Sequence, residues 1–113
     1  MLKKIEAYIQ PWNLDELAGQ LLVGGVQGMS VTEIKGFGRE RGFDDKEAGA
    51  GGYKLRPKLK VEMVVEEAQV ESIIAKIEEK LRTGRIGDGK IFITPVEDAV
   101  RISTEEKGQH AIA

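Results

Sequence analysis

Apolar and polar positions alternate near the start of the chain. Ile5, Ala7 and Ile9 face one way and Glu6, Tyr8 and Gln10 the other. That period of two predicts a half-buried strand closed by Pro11. Leu14, Leu17, Ala18, Leu21 and Leu22 then fall at helical spacing. Asn13 is the expected N-cap, Glu16 its capping-box partner and Gly24-Gly25 the stop. Val26, Met29, Val31 and Ile34 predict a second, less cleanly patterned strand ending at Gly36. From 36 to 56 no apolar period is sustained. A connection of that length inside a small domain is usually functional or disordered. A twisted hairpin extension and a mobile interaction loop are both open, and the abundance of glycine favours the loop.

Strand logic returns at 58–65. Leu59, Val61, Met63 and Val65 share one face, with Lys58, Lys60 and Glu62 on the other, where Val64 interrupts the polar run. Glu66-Glu67 suits a helix N-terminus. Val70, Ile73, Ile74, Ile77 and Leu81 form the stripe of that helix. Ile91, Phe92 and Ile93 predict a short strand ended by Pro95, and Val96, Ala99, Val100 and Ile102 a last apolar patch. The tail from 103 to 113 is polar and expected to be loose. The order β-α-β, long loop, β-α-β predicts one α+β domain spanning 1–113, a ferredoxin-like βαββαβ sandwich. Both helices would cover one sheet face. Tyr8, Glu62 and Val64 would lie on the other, whose partial apolarity suggests association between subunits.

Composition narrows the chemistry. The chain of 113 residues has 41% hydrophobic and 32% charged residues, as expected of a soluble domain. A net charge of −2 argues against nucleic-acid binding. The absence of cysteine excludes a disulfide framework and thiolate chemistry. The single histidine, His110, lies in the tail, which disfavours a histidine-based metal site. No membrane-length apolar run or signal-peptide core is present, so a cytoplasmic, non-embedded protein is the expectation.

The candidate site is TGRIGDGKIF at 83–92, with three glycines, Asp88, Arg85 and Lys90. Glycine permits close backbone approach, and successive N–H groups in such a turn can cradle an anion. A tight helix-to-strand connection that uses glycine for geometry alone is the competing reading.

The pieces KKIEAYIQP at 3–11, GVQGMSVTEIKGFGR at 25–39, PKLKVEMVV at 57–65 and TGRIGDGKIFITPVEDAVRI at 83–102 resemble the PII nitrogen-regulatory signalling family along nearly the whole chain. The resemblance implies a homotrimer that binds ATP, ADP or AMP in clefts between subunits and is not an enzyme. A long loop, here 36–56, would control a target transporter, enzyme or regulator. By the same resemblance Gly87, Asp88, Gly89 and Lys90 wrap the phosphates. Gly36, Gly38 and Arg39 belong to the same cleft, and Glu62 and Val64 line the ribose and adenine. Gly28, Met29, Ser30 and Arg101 come from the adjacent subunit. Glu40 and Lys58 stand where effector binding is coupled to the loop.

Several positions depart from the family pattern. Glu40 replaces a glutamine that helps hold magnesium and 2-oxoglutarate. A carboxylate suits magnesium but repels a dicarboxylate. Gln10 replaces a lysine, and Ser103 replaces a second phosphate-facing arginine, whereas Lys58 is retained. These changes argue against the usual 2-oxoglutarate response. They make a sensor of ADP or AMP, with a small anion or metal, the alternative. Glycine occupies the place of the loop's modifiable tyrosine, and no serine lies between 36 and 56. A slow nucleotide hydrolase using Asp88, Glu62 or Glu40 is a third class, but no nucleophile–base pair supports it.

Overall fold

A computed structural model of the chain describes residues 1–37, 55–85 and 87–113. Four strands, Leu2–Ile9 (β1), Ser30–Gly36 (β2), Arg56–Glu66 (β3) and Lys90–Val96 (β4), form one sheet in the order β2-β3-β1-β4. Every pairing is antiparallel. Helix α1 (Leu14–Val23) connects β1 to β2, and α2 (Val70–Leu81) connects β3 to β4. This is the ferredoxin-like arrangement, with β3 lying between the parallel pair β1 and β2.

Strand position explains which elements have a clear sequence pattern. The central strands β1 and β3 bury Ile5, Ala7, Ile9, Leu59, Val61, Met63 and Val65 beneath the helices. Leu17 and Leu21 of α1, with Ile73, Ile77 and Leu81 of α2, close the core from above. A fully buried side chain of this kind contributes ~1.5–3 kcal/mol. β2 and β4 are edges, and Val31, Phe92 and Ile93 remain substantially exposed.

Four local expectations change. β2 starts at Ser30, not at Val26. Val26 instead follows the Gly24-Gly25 turn into the core, its N–H donating to the Leu21 carbonyl at 3.0 Å. Asn13 ends a Pro11–Asn13 turn in helical geometry (φ −89°, ψ −6°) and caps nothing with its side chain. A side-chain N-cap normally requires an extended backbone. The capping box lies at Glu66 and Gln69, where the Gln69 Oε1 accepts the Glu66 N–H at 3.1 Å. Pro95 lies within β4 opposite Lys3, as an edge strand permits. The tail is not loose: Val100 bridges to Lys107, and Gln109–Ile112 forms a short helix, α3, that carries His110.

Residues 38–54 of the expected interaction loop lie outside the described residues. Its roots are paired, Gly36 opposite Arg56. Among the described residues, no helix is long and apolar enough to cross a membrane.

Candidate ligand cleft

Strand pairing fixes which side chains share the face without helices. Tyr8 lies opposite Lys60 and Lys90, Glu6 opposite Glu62 and Phe92, and Lys4 opposite Val64 and Thr94. Tyr8, Glu62 and Val64 therefore do share the open face. The Lys4 Nζ lies 2.8 Å from the Glu6 Oε1 and 3.8 Å from the Glu62 Oε2, and the Lys60 Nζ 3.2 Å from the Glu62 Oε1. The hydrogen bond and charge of Glu6 hold the Lys4 pKa up, and Lys4 in turn holds the Glu6 pKa down.

The glycine stretch closes one end of this face. The Asp88 carboxylate accepts the Thr83 N–H at 2.8 Å, the Thr83 hydroxyl at 2.5 Å and the Gly84 N–H at 2.9 Å. The Thr83 hydroxyl bond, followed by the backbone bonds, holds the Asp88 pKa below its ordinary value. Its negative charge is thus committed to shaping the turn. Gly87 and Gly89 adopt φ of 104° and 112°. A Cβ on Gly89 would lie 2.1 Å from the Tyr8 carbonyl oxygen, so the turn packs directly against the β1 backbone. Gln10 ties the two together, its side-chain amide donating to the Gly87 carbonyl at 2.6 Å.

Opposite the turn, the end of β2 completes a cleft of about 590 Å³. Its walls bring together Gly36, Lys58, Gly87, Asp88, Gly89 and Lys90, all singled out in the sequence. Lys35 and Arg85 also line it, so among the described residues Lys35, Lys58, Arg85 and Lys90 share its walls with one carboxylate, Asp88, which accepts from Thr83 and Gly84. Such a space favours an anion with several oxygens. Gly38, Arg39 and Glu40 lie outside the described residues.

The other sequence-predicted site residues lie apart from the cleft. Ser30 pairs with Glu62 at the start of β2, and Gly28 and Met29 precede it. Val64 lies six residues along β3 from Lys58, about 20 Å at strand rise. Arg101 follows β4 at that far end. Its guanidinium donates to the Ala113 carbonyl and lies 3.8 Å from the Glu106 carboxylate. One protomer therefore holds two separated groups of candidate residues.

Sequence reasoning missed Gln10 and Thr83 as turn-builders, and Tyr8, Lys35, Phe37 and Phe92 as walls. The Thr83–Asp88 spacing carried a signal, because threonine and aspartate commonly bond nearby backbone in turns. Tyr8 and Phe92 carried another, as large aromatic residues in the polar phase of their strands.

A family model described as nitrogen regulatory protein P-II matches residues 2–106. The chain belongs to this family. It is 51% identical to the nitrogen regulatory protein P-II of Azospirillum brasilense over 112 residues, covering 98% of this chain and all of that one. It is 49% identical to the P-II protein of Cereibacter sphaeroides over the same coverage. The crystal structure of Arabidopsis thaliana PII bound to citrate superposes with a TM-score of 0.79 at 40% identity, covering 97% of this chain and 91% of that one. P-II proteins are regulatory signal transducers, not enzymes, and the chain is a signalling protein of this kind.

Proposed function

We propose that this P-II protein is a homotrimeric adenine-nucleotide sensor that controls a protein target through the segment 36–56. The observation that carries the reading is the separation of its candidate residues. The cationic glycine-turn cleft is at one end of the sheet, and Ser30, Val64 and Arg101 are at the other. A ring of identical chains joined head to tail would bring one end of each protomer to the other end of its neighbour. Phosphates would then meet the backbone of Gly87 and Gly89 and the ammonium of Lys90. The neighbour's Arg101 would exchange its bonds to Ala113 and Glu106 for the same phosphates.

Nucleotide shifts the loop only by binding its two arrangements unequally. Gly36 and Lys58 line the cleft near the paired roots of that loop, which supports a path from a bound nucleotide to a target. The output would be binding or release of a transporter, enzyme or regulator, with energy or nitrogen status as the input. A carboxylate such as that of Glu40 has the ligand chemistry for magnesium beside ATP.

One observation favours ADP or AMP as effector. The Gln10 side chain, where the family has lysine, is neutral and already bonded to Gly87. The cleft therefore has one cation fewer for a terminal phosphate. Calorimetric titration with ATP, ADP and AMP, each with and without magnesium and 2-oxoglutarate, tests both readings. Binding of ADP or AMP at least as tight as ATP, without 2-oxoglutarate enhancement, is expected of the second. No nucleotide binding at millimolar ligand removes both.

A further inference from the structure

Arg101 is the cation among the candidate residues at the far end of the sheet, and the segment that follows it already occupies it. The chain doubles back there in a small hairpin. The Glu105 N–H donates to the Arg101 carbonyl at 2.7 Å, the Arg101 N–H to the Glu106 carbonyl at 2.8 Å, and the Gly108 N–H to the Ala99 carbonyl at 3.0 Å. Helix α3 then packs against β3. Beyond it, the Ala113 carbonyl accepts from the Arg101 guanidinium, whose other side faces the Glu106 carboxylate. Ile112 and Ala113 share with Val64 the walls of a space of about 240 Å³. One segment thus holds Arg101 and stands beside Val64.

The arrangement is specific but lightly held. The Arg101 and Glu106 side chains are 38% and 50% exposed and 3.8 Å apart, and exposed pairs of this kind contribute little. Glu105 adopts a left-handed φ of 65°, which a residue with a Cβ disfavours. Ile102, at the start of the hairpin, is 97% exposed. A carboxylate and a carbonyl oxygen are also acceptors that a phosphate can replace, and a charge-assisted bond to phosphate is stronger than one to a neutral carbonyl.

We propose that the segment 102–113 is an autoinhibitory strap. Closed, it engages Arg101 and sets α3 beside Val64; open, it frees both for the nucleotide of the adjoining protomer. The proposal rests on the nucleotide reading above and adds a regulatory step to it. A closed strap and a phosphate bound to Arg101 exclude each other, so binding opens the strap. Apparent affinity scales with the competent fraction, so a strap closed about nine-tenths of the time weakens binding about tenfold.

The test measures ATP binding by calorimetry to the full chain and to its Glu106→Gln, Glu105→Gln and Ile112→Ser variants, with amide hydrogen exchange of the wild type, free and with ATP. Glu106→Gln removes the carboxylate that faces Arg101. Glu105→Gln removes an equal charge next to it and leaves that pair in place. Ile112→Ser loosens α3 from β3. Glu106→Gln and Ile112→Ser should bind ATP about three- to tenfold more tightly than the wild type. Glu105→Gln should stay within about twofold of the wild type. ATP should also speed exchange of the Gly108 and Ala111 amides, whose bonds close the strap. Equal gains in Glu105→Gln and Glu106→Gln would trace the effect to bulk charge and overturn the strap. Slower exchange of those amides with ATP would show the segment closing over the ligand, which also overturns it. Wild-type ATP binding that neither Glu106→Gln nor Ile112→Ser strengthens overturns the strap and leaves the nucleotide reading standing. Absence of ATP binding in the wild type and every variant overturns both.

Discussion

At the scale of single residues, the turn after α2 depends on two groups, Gly89 and Asp88, whose part in shaping it is independent of any ligand. Gly89 has a left-handed φ of 112° and a β1 carbonyl where a Cβ would go. Gly89→Ala therefore adds backbone strain and a clash with main chain. It should destabilise the fold by ~1–3 kcal/mol in urea denaturation and displace the cleft wall, abolishing ligand binding. Gly84 has a similar φ of 81°, yet a Cβ there meets nothing within 4 Å, so Gly84→Ala carries the strain without the clash and should cost less. Asp88 acts through acceptance: its bonds from Thr83 and Gly84 exist only for the carboxylate form at full strength. Its folded pKa lies below the ordinary 3.8. The stabilisation from this group is therefore present above that ordinary value and is lost as pH falls through the lower folded value. NMR titration should show the Thr83 and Gly84 amides moving together in that acid range, and Asp88→Asn should abolish the transition. The Asp88 position was legible from its neighbours in sequence, but its role was not. A lone acid among glycines reads equally as ligand contact or turn scaffold until its partners are known.

At the scale of elements, legibility tracked burial. β1 and β3 lie at the sheet centre, so one face of each is forced to be apolar and the period of two survives. β2 and β4 are edges, so less of their pattern is dictated, and the start of β2 and the inclusion of Pro95 were misread accordingly. Val26 misled because one buried apolar residue after a glycine turn looks the same in sequence whether it extends a strand or plugs a core. The helix caps show a different limit. Asn13 with Glu16 has the letters of a capping box, but Pro11 starts a tighter turn and carries Asn13 into helical geometry. The Glu66 and Gln69 pair lacks the usual hydroxyl at its first position, yet Glu66 is extended (φ −70°, ψ 144°) and makes both reciprocal bonds. Thermal denaturation separates the two sites. Gln69→Ala should cost ~1 kcal/mol, while Asn13→Ala should change stability by less than ~0.5 kcal/mol, because no side-chain cap bond is lost.

At the scale of the whole molecule, the decisive feature is that, among the described residues, one protomer holds its candidate residues in two separated groups. The distance between the glycine turn and Arg101 is set by strand length, and no loop adjustment shortens β3. Loss of either end should therefore disable every site of a homotrimer, but in different protomers. Lys90→Ala removes the ammonium beside the turn, and Arg101→Ala removes the guanidinium that the proposed ring would lend to the neighbour; neither side chain belongs to the core. Each variant alone should bind nucleotide weakly. When the two are unfolded and refolded together in equal amounts, chains assort at random around the ring. A site is intact only where a chain with a normal turn faces a chain with a normal Arg101. That joint condition restores about one site in four. Calorimetric stoichiometry measures the fraction directly, and sedimentation of the same sample gives the mass of the assembly. A restored fraction near one quarter in a three-chain particle is the expected result. A monomeric mass, or no recovery in the mixture, would show that Arg101 and the turn act in unrelated places. Recovery requires each chain to supply what the other lacks, so it distinguishes a shared site from two independent defects in the same protomer.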